Sequence, residues 1–280
     1  MAALAQPGAP TRFQLACMTL PYSAFSFERS LEGIRAAGYE YVAWGVNHLG
    51  KPLLAVDAPP AEAKAKADQS KAAGLTPVMM FATVNLEAPS ALDAHRRRIA
   101  QAHAAGLPFL LTFGKTTGGE RDAFVRNLKS MAPEARAAGV TVVIKQHGGN
   151  TATGRDCIKI VREVAEDSVH VCYDAGNVLD YENNDPIAEI ADCAPFIRAF
   201  AIKDHRNTPK DEDCGPGFGE IDHYKLLRPV MRTGLTMPLA FENIFEPLVP
   251  RPRTAEGVDA LARRSREYIE SVLRGLSAVI

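Results

Sequence analysis

The sequence has few cysteines, and none are paired at the spacing of a metal or redox motif. There are five of them, an odd number with no Cys-x-x-Cys pair, at Cys17, Cys157, Cys172, Cys193 and Cys214. This argues against a disulfide framework and against a zinc ribbon. We expect ordinary buried thiols in a reducing compartment, which places the protein in the cytoplasm.

The chain also lacks an excess of either charge and any long apolar run. With 32 basic and 33 acidic residues its net charge is −1, so nothing favours nucleic acid or an anionic membrane surface as a partner. No run reaches the roughly 18 apolar residues of a membrane helix. Residues 1–12 lack the features of a signal peptide, and we interpret them as a flexible leader before a single domain at 13–280.

A short repeat is the most informative feature that is present. Ala-Ala-Gly occurs four times, its glycines 32 to 36 residues apart, and a hydrophobic run follows each copy. The glycines are Gly38, Gly74, Gly106 and Gly139. Good helix formers followed by Gly mark the end of a helix, because Gly adopts the left-handed conformation without a Cβ clash. The repeat therefore predicts alternating helices and strands with a parallel sheet.

Counting the apolar runs gives eight strands, and helix-like stretches alternate with them. We predict strands at 13–20, 39–44, 77–81, 108–113, 140–145, 170–174, 197–203 and 238–242. We predict helices at 27–37, 60–73, 91–105, 120–138, 154–166, 186–192, 223–233 and 255–276. The predicted fold is an α/β single (β/α)8 TIM barrel with its active site at the C-terminal ends of the strands. An open sheet is the alternative, but no GxGxxG follows the first strand.

Two predicted loops are longer than the usual 2–6 or so residues of such units. They span 45–58 and 204–222, and the second is rich in glycine. Both follow strands, so both lie on the face that carries the chemistry of barrel enzymes. The second loop is either a lid that closes over substrate or a structural loop packed on the barrel mouth.

Polar and titratable side chains follow each of the last four strands. These segments read Lys145-Gln146-His147, Asp174-Ala175-Gly176-Asn177, Ala201-Ile202-Lys203-Asp204-His205 and Glu242-Asn243. Because the strands of a barrel end at one rim, we expect these groups to share a pocket.

These strand-end motifs resemble the sugar phosphate isomerase/epimerase superfamily, the xylose isomerase-like TIM barrels. Typical members end strand five with Glu, strand six with Asp, strand seven with His-x-Lys-Asp and strand eight with Glu. The resemblance implies one divalent ion (Mn²⁺, Mg²⁺, Co²⁺ or Zn²⁺) held by the two Glu, the Asp and the His. Asp174 and Glu242 match this pattern, whereas Lys145 and Ala201 replace the other two ligands. The chain thus resembles a divergent member with an altered metal site.

Three interpretations of this substitution stay open. A metal is held by a shifted set consisting of Asp174, Glu242, His147 and His205, ligand types that suit Mn²⁺, Co²⁺ or Zn²⁺. Alternatively the Lys145 ammonium takes the place of the ion and neutralises the two carboxylates. In the third interpretation Lys145 turns outward and the site is inactive.

The resemblance and the residue types together suggest proton abstraction next to a carbonyl, through an enediolate. Glu242 is the first candidate for the base, and His147 is the candidate if Glu242 is occupied as a ligand. Lys203 or a bound cation would stabilise the oxyanion. Lys145 is a further base if burial lowers its pKa, and a minor option is a Schiff base with a keto sugar.

Other residues are candidates for substrate binding, each with a purely structural alternative. Trp44 and Phe81 are suited to stacking on a sugar face. Polar candidates in the loops and motifs are His48, Asn177, Arg206 and Glu220.

The expected function is that of a sugar isomerase or epimerase acting on a sugar, keto-sugar or polyol derivative. The alternatives are a lyase or dehydratase that performs β-elimination on a keto-sugar, and a non-catalytic sugar-binding barrel with a decayed metal site. A nuclease of the endonuclease-IV branch is disfavoured, because the chain is neutral and has seven His. The expected partner is a small carbohydrate, and the family suggests a homo-oligomer.

Overall fold

Eight parallel strands form a closed barrel in the computed structural model, which describes residues 8–280. The strands are β1 (Arg12–Met18), β2 (Tyr41–Trp44), β3 (Thr76–Phe81), β4 (Phe109–Thr112), β5 (Thr141–Lys145), β6 (Val169–Tyr173), β7 (Ile197–Ile202) and β8 (Thr236–Phe241). Each pairs with its neighbour in the chain, and β8 pairs with β1 to close the ring. The predicted (β/α)8 barrel is confirmed.

Helices surround the barrel at the predicted places. Within residues 8–280 they are α1 (Phe27–Ala36), α2 (Pro60–Ala72), α3 (Ala91–Ala105), α4 (Arg121–Ala137), α5 (Gly154–Val164), α6 (Ala175–Glu182), α7 (Pro186–Cys193), α8 (His223–Leu227) and α9 (Ala255–Gly275). The repeated glycines have left-handed φ angles of 67° to 91°, so their helix-ending role is confirmed.

The helices differ from the prediction in two places. The predicted helix over 223–233 ends at Leu227 and continues as a 3₁₀ turn, Arg228–Val230, because Pro229 has no N–H for the helical ladder. Helix α6 was not predicted, since it is short and contains Gly and Asn, which are poor helix formers. Its start is fixed instead by Asp174, whose side chain accepts a hydrogen bond from the Asn177 N–H.

The loop after β7 begins with a two-stranded antiparallel ribbon, Asp204–Arg206 paired with Glu212–Cys214. The glycine-rich segment that follows is held by the fully buried Asp204 carboxylate, which accepts hydrogen bonds from the N–H groups of Gly217 (2.9 Å) and Ile221 (3.1 Å). A Cβ on Gly219 would lie 2.3 Å from Asp204 Oδ1, so Gly is required there. These contacts favour the structural interpretation of this loop over a free lid.

The N-terminal segment is described from residue 8 onward, so residues 1–7 of the predicted leader lie outside the described part of the chain. The remaining part is packed on the barrel. Thr11 is buried and its hydroxyl donates to the Val230 carbonyl, and β1 starts at Arg12, one residue before the predicted domain boundary.

Two further expectations concern the whole described region. In residues 8–280 the five cysteines are buried and unpaired, as expected. No helix of that region is long and apolar enough to cross a membrane.

The Asp204 carboxylate gives a test of the loop. Asp204→Ala leaves several buried N–H groups without an acceptor, and we expect a loss of about 3 kcal/mol in the free energy of unfolding or more. Asp222→Ala is the matched control, because Asp222 caps α8 through one exposed hydrogen bond and its loss costs about 1 kcal/mol. Denaturant titration measures both, and equal losses would contradict the role given to Asp204.

Candidate active site

Four charged side chains point into the barrel at the C-terminal ends of its last four strands. A cluster of buried apolar residues with members from all eight strands fills the interior. Because side chains alternate along a strand, a residue two positions after an interior residue also faces the interior. The interior residues Val143, Cys172, Ala201 and Ala240 are followed in this way by Lys145, Asp174, Lys203 and Glu242.

The Lys145 ammonium lies between the carboxylates of Asp174 and Glu242. Its Nζ donates to both oxygens of Glu242, at 2.8 and 2.6 Å, and lies 3.0 Å from Asp174 Oδ2. The side chains of Lys145 and Asp174 are 3% and 0% exposed, whereas that of Glu242 is 15% exposed. The three side chains, called the central ion pair below, are therefore nearly closed to solvent, and Glu242 is the most accessible of them.

The pKa values of the three groups follow from burial and from each other's charge. Burial alone would lower the pKa of Lys145, but the charges of Glu242 and Asp174 outweigh it, and the pKa is raised. Burial would raise the pKa of Glu242, but Lys145 and Lys203 bring it below its usual value. The pKa of Asp174 is raised, because its burial outweighs the same two lysines. Lys145 is thus held in its charged form.

This arrangement favours the interpretation in which the Lys145 ammonium takes the place of the family's ion. The ammonium already forms ion pairs with both carboxylates that would hold the ion, and Ala201 offers no ligand. The residues present therefore do not fit the family's ion at this place. The raised pKa of Lys145 likewise contradicts its predicted role as a base or Schiff-base amine, which needs a lowered pKa.

His147 lies beside this ion pair as a neutral imidazole. Its Nδ1 lies 2.9 Å from the Gly114 carbonyl, which requires Nδ1 to be the protonated nitrogen and leaves a lone pair on Nε2. Burial lowers the pKa of His147, although the Gly114 hydrogen bond opposes this. The imidazole therefore has the form that a general base needs.

Aromatic rings continue from His147 along the barrel mouth. The His147 ring centroid lies 4.5 Å from that of Phe113 and 5.6 Å from that of Tyr181. Phe113 in turn packs edge-to-face on Phe81, at 6.4 Å. The predicted candidate Phe81 thus belongs to an apolar wall at this end of the barrel.

Lys203 lies between the central ion pair and a second cluster of charged residues, Asp211, Asp213 and His205, on the ribbon after β7. Its Nζ donates to Asp213 at 2.5 Å, and its buried stem packs on Gly176, where a Cβ would lie 2.7 Å from Lys203 Cε. Burial would lower the pKa of Lys203, but Asp174 and Glu242 raise it. The ammonium is therefore charged and influenced by both groups of carboxylates.

His205 belongs to this second cluster and not to the predicted metal set with Asp174, Glu242 and His147. Its Nδ1 lies 3.1 Å from Asp213 Oδ1 and its Nε2 lies 3.3 Å from Asp211 Oδ1. It lies on the ribbon, beyond the last interior position of β7. The structure does not bring the predicted four-residue metal set together. His205 contacts Asp211 and Asp213 instead, and Lys145 is paired with Asp174 and Glu242.

Asn177 has a structural position. Its Nδ2 donates to the Gln146 carbonyl at 2.6 Å, and the Gln146 side-chain oxygen accepts from the Asp174 N–H at 2.8 Å. These bonds fix the start of α6 against the end of β5. Asn177 is 2% exposed, so it positions Asp174 rather than offering an open surface to substrate.

Two candidates for substrate contact have side chains that are engaged elsewhere in the structure. Trp44 is buried, and its Nε1 donates to Ser70 on α2, so it packs outward from the barrel. His48 is buried and uses both ring nitrogens, one toward the Phe25 carbonyl and one toward the Thr19 hydroxyl, each at 3.0 Å. Neither ring is free to contact a sugar.

The remaining two candidates serve the loop after β7. The Arg206 guanidinium donates to the Thr208 carbonyl, and exposed Glu220 accepts from the Asn207 N–H at 2.8 Å. Both side chains make loop contacts here, and their roles toward substrate stay predictions.

Sequence reasoning missed six residues that shape the two clusters. They are Phe113, Gln146, Asp180, Tyr181, Asp211 and Asp213. A signal existed for the ribbon, because Asp211-x-Asp213 in an extended segment places two carboxylates near the same partner strand. Asp180 and Tyr181 could be placed at the site only by predicting the short helix α6, and helix propensity does not indicate that helix.

Comparison with known proteins identifies the class and then the family. The closed barrel with charged groups at its C-terminal rim defines a TIM-barrel protein. The sequence model of the xylose isomerase-like TIM barrels matches residues 31–264, and the chain belongs to that family. No curated protein sequence matches it.

Solved structures share the fold at low identity. A xylose isomerase-like TIM barrel/4-hydroxyphenylpyruvate dioxygenase fusion protein is 18% identical with a TM-score of 0.73, covering 96% of this chain but only 45% of the fusion protein. An L-ribulose 3-epimerase is 18% identical (TM-score 0.73, covering 94% and 95%). A probable 3-DHS dehydratase from Bacillus anthracis is 12% identical (TM-score 0.66, covering 92% and 98%). At these identities the likeness shows the fold alone.

The central ion pair predicts a pH-dependent loss of stability in Lys145→Met. Two buried carboxylates lose the cation that pairs with them directly, and we expect a loss of about 3–5 kcal/mol at pH 7–8. Without the cation, burial raises their folded-state pKa values above the unfolded values near 4, so the variant regains stability as pH falls from about 7 to about 4. Denaturant titration across this range measures the loss.

Lys159→Met is the control, because its exposed pair with Asp156 contributes less than about 1 kcal/mol. A pH-independent loss in Lys145→Met would show that the carboxylates do not depend on the Lys145 charge.

Proposed function

We propose that the protein is an enolising enzyme that acts on a keto-sugar or a related polyol derivative without an ion between Asp174 and Glu242. The observation that carries the proposal is a fixed ammonium, Lys145, between these two carboxylates and beside a neutral His147. Proton abstraction next to a carbonyl requires a base and positive charge near the oxygen that becomes negative. Both requirements are met within one cluster.

His147 is the base in this proposal. Glu242 was the first candidate, but both of its oxygens accept from Lys145, and its pKa is lowered. His147 Nε2 carries a lone pair at neutral pH. It removes the proton from the carbon next to the carbonyl, and the electron pair of that C–H bond forms the enediolate.

Lys203 is the group that contacts the enediolate oxygen. The Lys145 ammonium donates to both oxygens of Glu242 and forms an ion pair with Asp174 Oδ2, so it is committed to these two carboxylates. Lys203 Nζ makes one side-chain hydrogen bond within residues 8–280, to Asp213, and keeps donors for an oxyanion. Lys145 then contributes through its charge, and Asp174 and Glu242 hold it in position.

The substrate class rests on the aromatic wall and the family. Phe81, Phe113 and Tyr181 form an apolar side beside His147, which suits the C–H face of a sugar. Among the structural neighbours is an L-ribulose 3-epimerase, which supports return of the proton to carbon as an isomer or epimer.

β-Elimination from the same enediolate is the second candidate function. The dehydratase among the structural neighbours favours it, and the initial proton abstraction is identical. The two differ in products, because an epimerase or isomerase conserves substrate mass whereas a dehydratase releases water. A non-catalytic sugar-binding barrel would perform neither reaction.

Exchange of substrate hydrogen with D₂O tests the proposal directly. We expect the wild-type protein to incorporate deuterium next to the carbonyl of one or more members of a ketopentose and ketohexose panel, followed by NMR. His147→Gln keeps a donor for the Gly114 carbonyl but lacks a base, and we expect exchange to fall about 10²–10⁴-fold. His103→Gln, at an exposed position, is the control and retains exchange.

Exchange that survives in His147→Gln but disappears in Glu242→Gln would return the base role to Glu242. Absence of exchange and of product across the panel, with sugar binding still detected by calorimetry, would favour the non-catalytic barrel.

The pH profile gives a second test of the base. Burial lowers the pKa of His147 below its usual 6.5, so the neutral form persists to lower pH. We expect kcat/KM to fall as His147 becomes protonated and to reach half its plateau value at a pH below 6.5. A half-value above pH 6.5 would contradict the assignment.

A further inference from the structure

The ribbon after β7 and helix α6 bring three ligand-type side chains together outside the central ion pair. Asp180 on α6, His205 on the first ribbon strand and Asp211 before the second each place one oxygen or nitrogen within 4.8 Å of the others. The proposed enolisation uses none of these three residues.

The hydrogen bond of His205 fixes which ring nitrogen faces this group. Its Nδ1 lies 3.1 Å from Asp213 Oδ1, so Nδ1 carries the proton and Nε2 carries the lone pair. A carboxylate that orients the distal nitrogen in this way is the usual second partner of a metal-binding histidine. Asp213 is held in turn by Lys203.

The His205 Nε2 atom is buried without a hydrogen-bond partner in residues 8–280. The His205 side chain is 1% exposed, and Nε2 lies 3.3 Å from Asp211 Oδ1 at an angle that does not make a hydrogen bond. In the neutral tautomer with Nδ1 protonated, a lone pair on nitrogen faces a carboxylate oxygen. Two acceptors at this distance repel unless a proton or a metal cation lies between them.

The charges around His205 point to a cation as well. Asp180, Asp211 and Asp213 surround the imidazole, and Lys203, which contacts Asp213, is shared with the carboxylates of the central site. The cluster thus has more negative than positive charge. Asp211 is 72% exposed and free to move by the small distance that coordination requires.

We propose that Asp180, His205 and Asp211 bind one divalent cation, with water in the remaining positions. One imidazole nitrogen and two carboxylates suit Zn²⁺, Co²⁺ or Mn²⁺ better than Ca²⁺ or Mg²⁺. The site lies on the ribbon and α6, separate from the place between Asp174 and Glu242 that Lys145 fills. The cation would join α6 to the ribbon beside Lys203.

Titration of the full-length protein with Co²⁺ tests this site, with the visible d–d absorption of the ion as the readout. We expect one Co²⁺ per chain, and Zn²⁺ should displace it. Asp211→Asn, a substitution at an exposed position that leaves the fold intact, should weaken binding at least tenfold, and His205→Ala should abolish the absorption band.

Two matched variants separate this site from others. Glu242→Gln alters the central cluster and His103→Ala removes an exposed surface histidine, and both should bind Co²⁺ as the wild type does. Loss of the band in Glu242→Gln with retention in Asp211→Asn and His205→Ala would place the ion at the centre and overturn the proposal. Absence of saturable binding below 1 mM in the wild type would overturn it too. Neither outcome depends on sugar exchange.

Discussion

The structure of the rim depends on one ammonium between two carboxylates. Lys145, Asp174 and Glu242 come from β5, β6 and β8, and each is buried only because the others balance its charge. The pair also makes the small Ala201 on β7 acceptable, since no ion requires a fourth ligand there. Removing Lys145 alone would leave the two carboxylates without their direct ion-pair partner inside the barrel.

The sequence predicts the barrel well because its signals are local. Glycine after each Ala-Ala pair has a single structural purpose, and the left-handed φ angles at Gly38, Gly74, Gly106 and Gly139 show it. The charged strand ends are also predictable, because the alternation of side chains along β5 to β8 carries Lys145, Asp174, Lys203 and Glu242 to one interior.

Side-chain partners were much harder to predict, because they depend on elements distant in sequence. From the sequence, Trp44 was a candidate for stacking on a sugar, but its indole nitrogen donates a hydrogen bond to Ser70 on α2. From the sequence, His205 was a candidate to bind an ion together with Asp174, but its imidazole contacts Asp213 on the paired ribbon strand. The direction in which Lys145 points was equally undetermined, since the same sequence is compatible with a metal, a buried ammonium or an outward lysine.

Replacing a divalent ion by an ammonium changes what the site offers to a substrate. An ion has several coordination positions and can hold two adjacent sugar oxygens at once, whereas the Lys145 ammonium is already paired with the carboxylates of Asp174 and Glu242. The positive charge is kept, and in the proposed mechanism the contact with substrate passes to Lys203. That mechanism holds one oxygen directly and leaves orientation of the rest of the sugar to the apolar wall around Phe113 and to His147. The proposed catalysis then depends on how firmly Asp213 and Gly176 fix Lys203, so it assigns the ribbon after β7 to the active site.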